Sequence, residues 1–195
     1  PLKVLALSGS PRSNGNSNYL LTAFLEGLRQ VGDILLRRYA LAGMTINPCR
    51  ACGACEADGE CIIDDDMQVL YRELASCRGI VLAAPVYFGS LNAQTKAFID
   101  RCQAIWARRY VLKQRPLPGG TSLYFLCVGA LKIERFCLNA ADIIKTFCHV
   151  TEINFAGLLA ARGFDRPGDI LRQPELLAQA RAEGENFGRM IRKKS

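Results

Sequence analysis

Histidine is almost missing from this chain. Of 195 residues only His149 carries an imidazole, and nothing in the sequence pairs it with a nucleophile, so triad-type chemistry has no basis here. Long apolar runs are also missing. No stretch approaches the roughly 20 residues that a membrane-spanning helix needs, and no membrane partner is expected. There is no low-complexity tract, internal repeat or interdomain linker, and half of the residues are hydrophobic, which excludes a disordered chain. The strand-like run at residues 2–7 has no signal-peptide pattern, so a cytoplasmic protein is expected. The formal charge of +7 invites a nucleic-acid reading. Its basic residues are dispersed, however: Arg37 and Arg38, Arg108 and Arg109, Lys113, Arg115, and a tail of Arg192, Lys193 and Lys194. None interleaves with aromatics as a stacking platform would, so no nucleic acid is expected.

What the chain has in excess is cysteine, nine in all. In a reducing compartment these argue against a disulfide framework. Cys77, Cys102, Cys127, Cys137 and Cys148 are scattered among apolar residues and read as small buried hydrophobes. Cys49, Cys52, Cys55 and Cys61 instead form C-x2-C-x2-C-x5-C. Three thiols fall within seven residues and a fourth follows a glycine-containing turn, so one short loop can wrap a compact polynuclear centre. Structural zinc more often uses two C-x2-C pairs across a longer insert, whereas this run is closer to the ferredoxin type, without its terminal proline. A [4Fe-4S] cluster is the leading reading; zinc and a metal-free thiol loop are the alternatives.

Alternating elements predict the fold class. Apolar runs at residues 3–8, 33–39, 79–84, 121–128 and 151–157 read as strands. Helical patterns follow from Ser17 or Asn18 to about 31, then at 64–76, 92–107, 136–148 and 174–192. Residues 158–170 read as irregular. The result is one domain over residues 1–195, an α/β flavodoxin-like doubly wound five-stranded parallel sheet of order 2-1-3-4-5, with a cysteine-rich loop at 48–63. In that order the cysteine loop lies at the carboxyl edge of the sheet.

Two further loops occupy the same edge. Residues 9–18 combine glycines, Arg12 and many hydroxyl and amide side chains just before a helix N-terminus, a ready anion site. The glycine spacings match neither G-x-x-x-x-G-K-[ST] nor G-x-G-x-x-G, leaving a loop suited to a phosphate monoester such as that of FMN. Pro85, Val86, Tyr87, Phe88, Gly89 and Ser90 form an aromatic turn after the third strand, able to lay backbone amides along the polar edge of an isoalloxazine ring.

Together, S-G-S-P-R-S-N-G-N-S, P-C-R-A-C-G-A-C with C-I-I-D-D-D-M, and P-V-Y-F-G-S-L-N-A-Q-T-K-A-F-I-D-R resemble the iron-sulfur flavoproteins, within the wider NADPH-dependent FMN reductase group. The likeness runs from Val4 to Arg101. It implies one FMN and one [4Fe-4S] cluster per subunit of a homodimer or homotetramer, exchanging electrons, often across a subunit boundary. It assigns the phosphate to Ser10, Arg12, Asn16, Ser17 and Asn18, the ring to Pro85 through Ser90, and the cluster to Cys49, Cys52, Cys55 and Cys61. Members usually carry a glycine-rich loop after the fourth strand; here only Gly129 stands there for a ring contact. The expected function is electron transfer between cluster and FMN, with a ferredoxin-like donor, NAD(P)H or a small-molecule redox partner. The alternatives are an NAD(P)H-dependent FMN or quinone reductase with a non-redox cysteine loop, and a zinc-stabilised interaction module.

Overall fold

In the computed structural model, which describes residues 1–117 and 119–193, strands β1 (Leu2–Ser8), β2 (Ile34–Ala40), β3 (Gly79–Tyr87), β5 (Ser122–Gly129) and β6 (Asn154–Arg162) form a parallel sheet of order β2-β1-β3-β5-β6. The two-residue β4 (Ser90–Leu91) turns back antiparallel on β3. Counting only the five long strands, this is the expected order. Lys194 of the basic tail lies outside the described residues. Among those described, no helix is long and apolar enough to cross a membrane.

The sheet is buried on both faces because its strands are apolar at successive positions. In β1, Val4 and Ala6 join one core while Leu5 and Leu7 join the other. Helices α1 (Asn16–Arg29) and α7 (Pro174–Lys193) cover the first face. The second is covered by α3 (Met67–Leu74), α4 (Ala93–Arg101), α5 (Gln103–Tyr110) and α6 (Glu134–Thr151). Between β2 and α3 lies the cysteine loop, with a single helical turn α2 (Cys55–Asp58).

The α1–α7 contact depends on glycine. A Cβ on Gly184 would stand 1.9 Å from the Phe24 carbonyl oxygen, and one on Gly27 would stand 1.8 Å from that of Arg181. Gly184→Ala should therefore force the helices apart and lower stability by about 1–3 kcal/mol, the usual cost of overpacking. Gly43→Ala, where a Cβ meets nothing within 4 Å, is the control; urea denaturation of both variants checks this.

Several element boundaries differ from the sequence reading; the helix expected at 64–76 spans Met67–Leu74. The helix expected at 92–107 is two helices broken at Cys102. The fifth strand was expected at 151–157, but α6 runs on to Thr151, whose hydroxyl donates to the Phe147 carbonyl at 2.8 Å. Local hydrogen bonding there overrides the β-preference of Val150 and Thr151. The strand then continues to Arg162, into the first part of the stretch expected to be irregular.

Candidate functional site

The carboxyl ends of β1, β3, β5 and β6 frame two adjoining cavities. The smaller, about 90 Å³, is lined by Ser10, Arg12, Gly15, Asn16, Ser17, Pro85 and the loop after β6. The larger, about 470 Å³, is lined by Val86, Tyr87, Phe88, Gly89, Gly129 and an apolar wall that includes Leu131, Ile133 and Phe136. Val86, Tyr87, Ala130 and Asp165 belong to both.

The small cavity is built at the N-terminus of α1, where the first backbone N–H groups have no intrahelical acceptor and the helix dipole favours an anion. Its loop is rigidly seated. Gly9 N–H donates to the Ala83 carbonyl at 2.7 Å, and the Gly9 carbonyl accepts from Asn92 Nδ2 at 2.6 Å. A Cβ on Gly9 would come within 2.0 Å of Thr95 Oγ1; only glycine lets the loop approach α4 this closely. Ser10 Oγ accepts from Arg12 N–H. Arg12 is exposed and reaches the Asp165 carbonyl.

Two amide side chains expected at the phosphate have hydrogen-bond partners within the protein. Asn16 Nδ2 donates to the Arg166 carbonyl at 2.9 Å, and its Oδ1 accepts from Ile170 N–H at 3.2 Å. Asn16 thus pins the loop after β6 against α1. Asn18 Nδ2 donates to the carbonyls of Arg12 and Ser13 and lies outside both cavities. Ser90 also lies outside them, paired with Tyr87 in the β3–β4 hairpin. The loop at 163–168, which supplies Phe164, Asp165 and Pro167, was missed by sequence reasoning. Its signal was available: R-G-F-D-R-P-G is turn chemistry directly following a strand.

Phe88 and Gly89 are the central pair of that hairpin, with φ of 50° and 74°. Two positive φ values mark a type I′ turn, for which Asn-Gly is preferred. A bulky aromatic in the left-handed region is strained, and here its ring is fully exposed at the cavity rim. Phe88→Asn is expected to stabilise the free protein by on the order of 1 kcal/mol while weakening retention of whatever flat group the cavity holds. Thermal melting and ligand titration would separate the two effects.

The cysteine loop makes a second site. Cys49, Cys52, Cys55 and Cys61 all line one cavity of about 470 Å³, walled on the other side by Asp100, Arg101, Gln103, Ala104 and Trp106. Ala51 and Gly53 take positive φ values of 50° and 73°, which curl the chain around it. Burial pushes the Cys55 thiol up, opposed by a backbone hydrogen bond, and the proximity of Cys61, Cys49 and Cys52 raises it further. The neighbouring thiols thus disfavour ionisation of Cys55, which a cationic centre would reverse. Among the described residues no group of three or more His, Cys, Asp or Glu side chains is placed to hold a metal ion.

Arg101 holds this loop shut. Its guanidinium is fully buried and pairs with Asp65 at 2.6 Å. It also donates to the Asn47 carbonyl at 2.9 Å and to the Ile63 carbonyl at 3.3 Å, the two arms of the loop. Asp65 in turn accepts from Asn47 N–H and Met67 N–H. The acidic run at 64–66, read from sequence as a helix start, thus also closes the loop. Arg101 Nε is buried without a partner, an available donor in a residue that lines the thiol cavity. Arg108 Nε donates to the Gly59 carbonyl at 2.9 Å and ties α5 to the end of α2.

The site geometry also corrects one expectation. The cysteine loop leaves β2 at the carboxyl edge, but its cavity is completed at the far end of α4 and the start of α5. No lining residue is shared with the β-edge cavities. Asn92, ahead of α4, touches the phosphate-type loop, while Arg101 ends that helix. Nine helical residues, about 13 Å of axis, separate the two regions. The run 33–39 carries no signal of this, because it marks a strand without specifying the path of the loop that follows.

Residues 2–143 match the NADPH-dependent FMN reductase family. A protein named iron-sulfur flavoprotein from Methanosarcina thermophila is 36% identical over 58% of this chain and 59% of its own length. One of the same name from Archaeoglobus fulgidus is 39% identical over 55% of this chain and 54% of its own. The chain thus spans little more than half the length of these curated relatives. Among solved structures, an NAD(P)H:quinone oxidoreductase from Methanothermobacter marburgensis superposes with a TM-score of 0.67, at 19% identity, over 95% of this chain and 96% of its own; this likeness concerns the fold.

Proposed function

The chain belongs to the NADPH-dependent FMN reductase family, and from that premise we propose that it binds FMN at the β-edge cavities and a [4Fe-4S] cluster at the cysteine loop, passing electrons between them. The observation that carries this reading is the four-thiol cavity walled by a buried cation, on the same chain as a flavin-type edge site. Names of relatives identified as iron-sulfur flavoproteins support it.

When bound, FMN would supply two-electron or one-electron chemistry and the cluster one-electron chemistry. The chain supplies position. Ser10, Arg12, Gly15 and the α1 N-terminus would hold the phosphate, and Asn16 keeps the 163–168 loop over it. Pro85, Val86, Tyr87, Gly89 and Gly129 would border the ring, while Leu131, Ile133 and Phe136 exclude water from one side. Exposed Phe88, Leu131 and Ile133 line the larger cavity, an apolar rim suited to cover by a second subunit. A homodimer or homotetramer would let a cluster of one subunit approach the ring of another, bypassing the separation within one chain. The outer electron donor is ferredoxin-like or NAD(P)H.

Anaerobic purification followed by iron, sulfide and flavin analysis tests the proposal. The expected result is about one FMN and four iron per chain; colourless protein with neither would sink it. A second reading, a plain NAD(P)H-dependent FMN or quinone reductase, is favoured by the lack of any shared wall between the two cavities. It predicts yellow protein that turns over NAD(P)H without iron.

Asn16→Ala probes the flavin half alone. Losing the two hydrogen bonds that pin the 163–170 segment should weaken FMN retention about tenfold or more, one hydrogen bond being worth about 1 kcal/mol. Iron content should stay unchanged, and equilibrium dialysis against FMN with parallel iron assay checks both.

A further inference from the structure

The first turns of α6 carry a stripe of exposed side chains that the flavin site does not use. Arg135, Leu138, Asn139 and Asp142 recur at helical spacing and are all exposed, so they share one face of the helix. With the turn at Phe88 and Gly89 they border an outer groove of about 530 Å³. That turn and Phe136 belong both to this groove and to the larger edge cavity. The two spaces therefore lie side by side, with the hairpin tip between them.

The groove is held in shape by its own walls. Asn139 Nδ2 donates to the Gly89 carbonyl at 2.7 Å. Gly89 also packs so closely on Phe136 that a Cβ there would stand 3.0 Å from the ring. This fastening keeps the Phe88 backbone at its strained φ of 50°, with the ring fully exposed. Strain of this kind persists only where the surroundings enforce it, and ligand clamps are one place where it gathers. A rigidly mounted aromatic ring is a ready stacking surface.

The charges give the groove a direction. Arg135 lies 5.3 Å from the centroid of the Phe136 ring and makes no ion pair among the described residues. Glu134 beside it pairs with Arg162 at 3.6 Å, and Asp142 pairs with Lys145 at 3.0 Å. Arg135 also stands in the first turn of α6, where the helix dipole adds positive potential. Asp142 follows seven residues later, about 10 Å along the axis. One end of the groove thus attracts an anion and the other accepts hydrogen bonds, with Phe88 and Leu138 as the apolar middle.

We propose that this groove binds a flat aromatic anion about 10 Å long, a hydroxyaryl carboxylate in type. The carboxylate meets Arg135, the ring stacks on Phe88, and the hydroxyl donates to Asp142. None of these contacts needs a flavin in the neighbouring cavity, so the site stands or falls separately from the flavin reading.

The probe is 6-hydroxy-2-naphthoate, titrated into the full chain and followed by its own fluorescence. The expected result is saturable binding, with amide shifts in nitrogen-15 NMR confined to the Phe88 turn and the first turns of α6. Arg135→Gln should weaken binding of the acid about tenfold, the scale of one hydrogen bond to a charged group, and leave that of neutral 2-naphthol unchanged. Phe88→Asn should weaken both about fivefold through lost stacking. Both side chains are exposed, so the fold survives either change. Three results overturn the proposal: no binding to wild type at millimolar acid, shifts that map to the larger cavity instead, or equal affinity of wild type and Arg135→Gln. A second copy of the chain is the competing occupant. Sedimentation velocity on the same samples reads it, and a dimer that expels the acid as it forms overturns the site as well.

Discussion

Arg101→Met is expected to cost about 3–5 kcal/mol of folding stability, the usual penalty for breaking a buried ion pair by removing one partner. The substitution would strand the Asp65 carboxylate and leave the carbonyls of Asn47 and Ile63 without their common donor. The double variant Asp65→Asn with Arg101→Met should recover part of this loss, because it removes the uncompensated charge while an asparagine side-chain oxygen can still accept from Met67 N–H. Urea denaturation of metal-free protein measures both. An acid limb follows from the same pair. Burial pushes the Asp65 carboxyl up, but the hydrogen bonds from Arg101, Asn47 and Met67 outweigh it and hold the group below its ordinary value. A carboxyl depressed by folding stabilises the protein fully above the unfolded value, near 3.9, and that contribution is lost as pH falls through the folded value. Below about pH 4, wild type should therefore lose stability more steeply than Asp65→Asn.

The second large effect concerns Cys52, an exposed thiol in the wall of the cysteine cavity. Cys52→Ser should remove most of the iron while leaving FMN content within error of wild type, because no residue of the thiol cavity lines the flavin cavities. Electron transfer from a one-electron donor should fall by at least an order of magnitude, on the scale of a lost metal-site element. Turnover with NAD(P)H as a direct hydride donor to flavin should persist. Retention of full one-electron transfer in Cys52→Ser would favour the reductase with a non-redox loop. Stopped-flow absorbance at flavin wavelengths, run with each donor, separates the cases.

Residues 3–8 and 79–84 show why so much of the architecture was legible. Strands buried on both faces read as continuous apolar runs, and their alternation with helices leaves few topologies open. The β1 loop was legible as a candidate anion site because glycine, hydroxyl and amide groups ahead of a helix have a local meaning, and the structure does set a small cavity there. Thr151 was not legible in this way: its β-preference lost to a hydrogen bond one helical turn back. The dual role of Asn16 was hidden because its partners, Arg166 and Ile170, lie about 150 positions away. The clasp made by Arg101 was not legible, because its partners Asn47, Ile63 and Asp65 lie 36 or more positions away in the chain. Cys127 and Cys137 read as small hydrophobes, and both are buried.

The Arg101 clasp has a further consequence for how metal would enter. Ordering a loop of fifteen or so residues by its ligands alone costs about 3 kcal/mol of chain entropy. Here the arms at Asn47, Ile63 and Asp65 are joined by protein groups, so that entropy is lost when the polypeptide folds and not when iron arrives. A zinc finger unravels when its ion is chelated, because the ion is its fold. This loop is a basket woven before it is filled: chelators should empty it and fresh iron and sulfide refill it, with the circular dichroism of the sheet and helices unchanged throughout.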